Sequence, residues 1–165
     1  MQKHLYFICP TDHLEPIINS TFKQENYYFT SLGNSIVFDT NMVSQLKELL
    51  QTKNIQDISF VLSDNNRIVS DALGKQAFSG ITGLSNFYNQ ITRQRENSEE
   101  VWQTYNHQFL ILSHHLNDKI KELKLCLKQL SVDPPKINGK IYNRHQEVFS
   151  DIYSDLICGA YVQVN

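Results

Sequence analysis

Residues 55–73 read IQDISFVLSDNNRIVSDAL, and in them a short apolar run gives way to a polar turn and then to a helical pattern. Ile58, Phe60, Val61 and Leu62 are too few for a helix and too continuous for a strand with one solvated face, so they predict a central parallel strand. Ser63-Asp64-Asn65-Asn66 breaks the run. In open α/β sheets ligands collect at the carboxyl ends of such strands, where strand order reverses, so a site is expected here.

Working back from this stretch, residues 5–9, LYFIC, form a second continuously apolar run. It predicts a central first strand, ended by Pro10, which has no N–H to give a neighbour. Thr11 or Asp12 can cap a short helix whose apolar face is Leu14, Ile17 and Ile18, and Tyr27-Tyr28-Phe29 supplies the next strand. Gly33-Asn34 marks a turn in which positive φ is cheap. Met42, Val43, Leu46, Leu49 and Leu50 repeat at helical spacing, so 41–52 predict an amphipathic helix starting near Asp39 or Thr40.

Working forward, 72–97 carry a weaker pattern, interrupted by Gly74, Gly80 and Gly83, and predict one or two short helices. RQRENSEE, 93–100, reads as a solvated junction whose acidic end suits the start of a long helix over 99–130. Trp102, Tyr105, Phe109, Leu112, Leu116, Ile120, Leu123 and Leu127 recur along that helix at three- and four-residue steps. Asp133-Pro134-Pro135 stops it. KINGKIYNR then reads as a strand, 143–150 as a turn and 151–164 as a strand or irregular arm. No repeat or second domain is evident, so 1–165 are expected to form one α/β domain of three layers, with a mainly parallel central sheet flanked by helices. The first and third strands should be adjacent at its centre.

The composition narrows the function classes. Three cysteines, Cys9, Cys126 and Cys158, without a CxxC pair, argue against a disulfide framework or zinc ribbon and fit a reducing, cytoplasmic setting. A net charge of -2 and a pI near 6.3 give no footprint for nucleic acid or an anionic membrane. The N-terminal LYFIC run is too short for a signal peptide or a membrane span. His114-His115 point about 100° apart on a helix and do not easily face one metal, and His115 with Asp118 or Lys119 reads as a solvated face.

Cys9 after the first strand, Gly33-Asn34, and FVLSDNNRIVSDAL at 60–73 together resemble the β-class carbonic anhydrases, in order and in spacing. That family places a zinc-binding cysteine after its first strand within Cys-x-Asp-x-Arg, then a Gly-Asn turn, an amphipathic helix, and a strand ending in Gly-His-x-x-Cys-Gly. The corresponding residues here are Cys9-Pro10-Thr11-Asp12-His13, then Gly33-Asn34, then Ser63 to Ile68. The resemblance implies zinc at Cys9, Asp64 and Arg67, but a guanidinium stays protonated and cannot donate a lone pair to a metal. Thr11 and His13 stand at the family's aspartate and arginine positions, with Asp12 between them.

The expectation is therefore a zinc-free pseudoenzyme, a small-anion-binding or protein-interaction module with no cofactor, working as a homodimer. The anion would be bicarbonate, sulfate or phosphate. Its binding residues would be Cys9, Asp12, His13, Gly33, Asn34, Asp64 and Arg67, with Asp12 and His13 as catalytic candidates if activity persists. Arg67 is expected to fill the former metal position, paired with Asp64 or Asp12. The alternative is a carbonic anhydrase, or another lyase or hydrolase, with a non-standard metal set drawn from Cys9, Asp12, His13 and Asp64. Cys9 also reads simply as a small buried hydrophobe.

Overall fold

The computed structural model of the chain describes residues 1–99, 107–129 and 133–153, without the side chains of 97–99. Among the described residues the strands are β1 (Lys3–Ile8), β2 (Glu25–Thr30), β3 (Asp57–Ser63), β4 (Lys136–Asn143) and β5 (Val148–Asp151). The helices are α1 (Glu15–Thr21), α2 (Thr40–Lys53), α3 (Arg67–Leu73), α4 (Ser85–Glu99) and α5 (His107–Leu127), with 3-10 turns at Pro10–Asp12 and Leu32–Asn34. One sheet runs β2-β1-β3-β4-β5. Its first four strands are parallel and β5 is antiparallel.

The two most apolar runs lie side by side as expected, with Leu5 opposite Ile58 and Phe7 opposite Phe60. On one face Leu5, Phe7, Cys9, Ile58, Phe60, Leu62 and Ile141 pack against α2, α3, α4 and α5. On the other, Tyr6, Ile8, Val61 and Tyr142 pack against Leu14 and Ile18 of α1 and its approach. The cover is unequal, four helices against one. At the heart of the thicker side Phe7 stacks between Phe29 and Phe60, with centroids 5.5 and 4.6 Å away, and Phe38 meets it edge-on at 5.9 Å. Truncating a ring so enclosed costs ~3–5 kcal/mol.

On the thinner side a polar row crosses three strands. The His4 ring stacks on Tyr6 at 4.2 Å, its Nε2 lies 2.7 Å from Ser59 Oγ, and that hydroxyl donates to Asn138 Oδ1 at 2.6 Å. Burial pushes the His4 imidazole down to about 4.

Local signals account for several boundaries. The Asp39 carboxylate accepts the Met42 N–H at 2.8 Å and starts α2, and Asn54, in the left-handed region, ends it. Four expectations are corrected. RQRENSEE is not a solvated junction: through Glu99 it continues α4. The long helix does not begin at 99, since Glu99 belongs to α4, which starts at Ser85; the described part of the long helix is His107–Leu127, and the residues between lie outside the described ones. The 143–150 turn contains the start of β5, which returns along β4. Neither Thr11 nor Asp12 caps α1: Leu14 is the flanking residue, and it makes no side-chain capping hydrogen bond. Trp102, Tyr105, Cys158 and the arm beyond Tyr153 lie outside the described residues. No helix among the described residues is long and apolar enough to cross a membrane.

Candidate functional site

The carboxyl ends of β1 and β3 gather the residues singled out in the sequence, and the structure sorts them into two clusters. In the first, Cys9 is fully buried; its Sγ accepts the Gly33 N–H at 3.1 Å and lies 3.1 Å from Thr11 Oγ1. Gly33 has φ +61, and a Cβ there would stand 2.9 Å from the Phe87 ring, so both backbone and space call for glycine. Asn34, also fully buried, donates through Nδ2 to the carbonyls of Phe7 (3.2 Å) and Val61 (3.0 Å), binding the ends of β1 and β3 together.

The Gly33 carbonyl accepts from His115 Nε2 at 2.8 Å. A carbonyl can only accept, so Nε2 carries the proton. Complete burial drives His115 down to about 4, against the raising effect of the Gly33 hydrogen bond, and holds the ring neutral. Lys119, one turn on, is buried too and donates to the Ile36 carbonyl at 2.9 Å. The expected solvated face at 114–119 is therefore corrected: His115 and Lys119 hold the loop between β2 and α2. The signal was present in the sequence, because residues 111, 115 and 119 are four apart and share the face of buried Ile111.

The second cluster centres on Asp12, which is 2% exposed. Its Oδ2 accepts the Ser63 N–H and its Oδ1 the Asn66 Nδ2, both at 2.9 Å. Burial raises the Asp12 pKa, while those two hydrogen bonds and the charges of Arg144 and His13 pull it back. Asn66 uses its Oδ1 to accept the Val69 N–H at 2.9 Å, capping α3. Asp64 is half-buried. Its N–H donates to the Tyr142 carbonyl at 2.9 Å, and its Oδ1 accepts the Arg144 N–H at 3.2 Å.

Arg67 does not fill the former metal position. It is exposed and forms no ion pair with Asp64 or Asp12. The reason lies in the turn: with Asn66 as the cap, Ile68, Val69 and Ala72 take the buried face of α3, which turns Arg67 outward. The guanidinium that reaches the site belongs to Arg144, from the turn after β4. It donates to the Asp12 carbonyl and, through Nε, to Asn65 Oδ1 at 3.3 Å, and lies 5.8 Å from the Tyr142 ring centre. Sequence reading missed Arg144 because nothing local ties it to Asp12. His13 closes the first 3-10 turn at φ 52 and is exposed.

These side chains do not fit the zinc that the resemblance implies. Cys9 Sγ sits among hydrogen-bond donors, Arg67 faces away, and among the described residues no three His, Cys, Asp or Glu side chains converge on one point.

The sequence matches no protein-family model and no curated protein. Solved structures do match. A mutant form of the β-carbonic anhydrase CafD from the filamentous fungus Aspergillus fumigatus superposes with a TM-score of 0.74 at 15% identity, over 93% of this chain and 90% of that one. The chain has the β-carbonic anhydrase fold. A tetrameric β-carbonic anhydrase from the ascomycete Sordaria macrospora gives 0.69 at 12% identity, over 91% and 80%. The Coccomyxa β-carbonic anhydrase, in complex with acetazolamide, gives 0.68 at 15%, over 91% and 71%. At these identities the likeness establishes the β-carbonic anhydrase fold, and function has to be argued from the site.

Proposed function

We propose that this protein is a non-catalytic, zinc-independent member of the β-carbonic anhydrase fold, acting as a protein-interaction module and assembling as a homodimer. One observation carries the reading: Arg67, at one of the fold's zinc positions, is exposed and turned away, and its guanidinium has no lone pair to give a metal. A zinc site needs three or four donors converging on the ion, and among the described residues no three His, Cys, Asp or Glu side chains do so. Each Asp12 carboxylate oxygen already accepts a hydrogen bond, from the Ser63 N–H and the Asn66 amide, which ties the carboxylate into the turn after β3.

Anion binding is the weaker form of the proposal. Bicarbonate, sulfate or phosphate would depend on Arg67 and His13, both exposed, where salt screens the attraction. A metalloenzyme using Cys9, Asp12, His13 and Asp64 is disfavoured by the outward position of His13. The homodimer is supported by the tetrameric relative and by Phe78 and Ile81, 44% and 42% exposed. Leu84, Phe87, Tyr88 and Ile91, which follow in the sequence, are buried in the core.

CO2 hydration measured with zinc present, for the parent and Cys9→Ser, tests the reading. The expected result is the buffer rate for both. Hydration well above buffer that is lost in Cys9→Ser overturns it, and a monomer in sedimentation at micromolar concentration overturns the dimer.

A further inference from the structure

On the far side of β3 from Cys9, the end of the sheet opens into a cleft of about 240 Å³ that shares only Asp64 with the zinc positions the resemblance implies. Ile141 forms its apolar floor, and Phe109 of α5 with Tyr153 beyond β5 forms one wall. These two rings meet edge to face, with centroids 5.0 Å apart. The wall is held in place: Asn117 Nδ2 donates to the Tyr153 carbonyl, and the Tyr153 N–H donates to Ser113 Oγ at 3.4 Å. The remaining lining is polar, from Asp64, Asn143 and Ser150.

The charge of the lining decides what fits. Among the described residues Asp64 is its only ionisable carboxylate, and no described lysine or arginine side chain lines the cleft. Arg144 meets Asp64 through its backbone N–H alone, while its guanidinium turns to the Asp12 carbonyl and Asn65. That N–H goes to Asp64 Oδ1, while the Ser63 hydroxyl, 3.5 Å from the same oxygen, donates to Asn65 Oδ1 at 2.6 Å. Oδ2 takes no hydrogen bond from the described residues, nor does the Ser150 hydroxyl. A carboxylate oxygen with spare lone pairs beside aromatic rings is the arrangement that selects an organic cation: the charge pairs with the carboxylate and the apolar body lies on the rings. An anion would meet repulsion instead.

We propose that this cleft binds a small primary ammonium compound with an apolar or aromatic body. The ammonium group donates to Asp64 Oδ2 and to the Ser150 hydroxyl, and the body packs between Ile141, Phe109 and Tyr153. The site goes beyond the zinc-independent reading and rests on it in one respect, that Asp64 carries no metal.

Calorimetric titration of the full chain with phenethylammonium tests it, with phenethyl alcohol and phenylacetate as neutral and anionic counterparts. Zinc content is measured on the same sample, so failure of the metal-free reading and failure of the amine site are read separately. Saturable binding of the ammonium is expected, with a dissociation constant on the order of a millimolar for a ligand this small. The alcohol should bind at least ~10-fold more weakly and phenylacetate not measurably, because the isolated carboxylate pairs only with the cation. Asp64→Asn, which keeps an Oδ1 acceptor for the Arg144 N–H, should weaken the ammonium at least ~10-fold, and Tyr153→Leu roughly threefold. Equal binding of alcohol and ammonium, an Asp64→Asn protein that binds as the parent does, preferential binding of phenylacetate, or no saturable binding at all would overturn the assignment.

Discussion

The two halves of the strand-end region differ in what their polar groups do. Around Cys9, Gly33, Asn34 and His115, the side chains are fully buried, and they bond mainly to backbone. Around Asp64 and Arg144 the groups are half-exposed, and part of their bonding capacity is left over beside an open cleft. The first half is sealed and serves the fold, its buried groups held mainly by backbone, although Asn34 Oδ1 and His115 Nδ1 take no partner among the described residues. The second half has kept room for a partner. The strand-end region is thus split, with one side built into the core and the other open to solvent.

That contrast breaks most readily at His115. His115→Ala leaves the Gly33 carbonyl without its donor and opens a cavity against Phe87, whose ring lies 4.9 Å away, and should cost ~3 kcal/mol in urea unfolding. A loss below ~0.5 kcal/mol would mean the cluster is not sealed. The same residue sets a pH dependence. Its pKa falls from about 6.5 unfolded to about 4 folded, so the unfolded chain binds the extra proton between these values. Stability should hold above about 6.5 and decline as pH falls toward 4, with His4 acting in the same sense. His115→Gln should flatten that decline.

Asp12→Asn is next in size. It exchanges one carboxylate oxygen for an NH2 group facing either the Ser63 N–H or the Asn66 amide, and the clash of donors should cost ~1–3 kcal/mol. Arg144→Ala belongs to the more open half and should cost no more than ~1 kcal/mol. If it destabilised the chain as much as His115→Ala, the division between the halves would fail.

How much was legible beforehand follows the same physics. β3 and β1 could be read because burial on both faces needs uninterrupted apolar runs, and α2 because Asp39 and the Met42-Leu46-Leu50 stripe are local. RQRENSEE was misread because apolar periodicity ends at Ile91. That part of α4 is held instead by Gln90 and Gln94 on Asp118 and by Arg95 on the Leu73 carbonyl, partners distant in sequence. Arg67 was misplaced because alignment gives a position and not a direction. The Ile68, Val69 and Ala72 pattern carries the direction, and it sends Arg67 outward. Arg144 depends on a contact across 132 positions, which no local pattern reveals.

Native mass spectrometry of the full chain after equilibration with excess zinc and removal of loose metal tests the central claim most directly. The account predicts the metal-free mass for both the parent and Cys9→Ser. One retained zinc per chain, lost in Cys9→Ser, would contradict it.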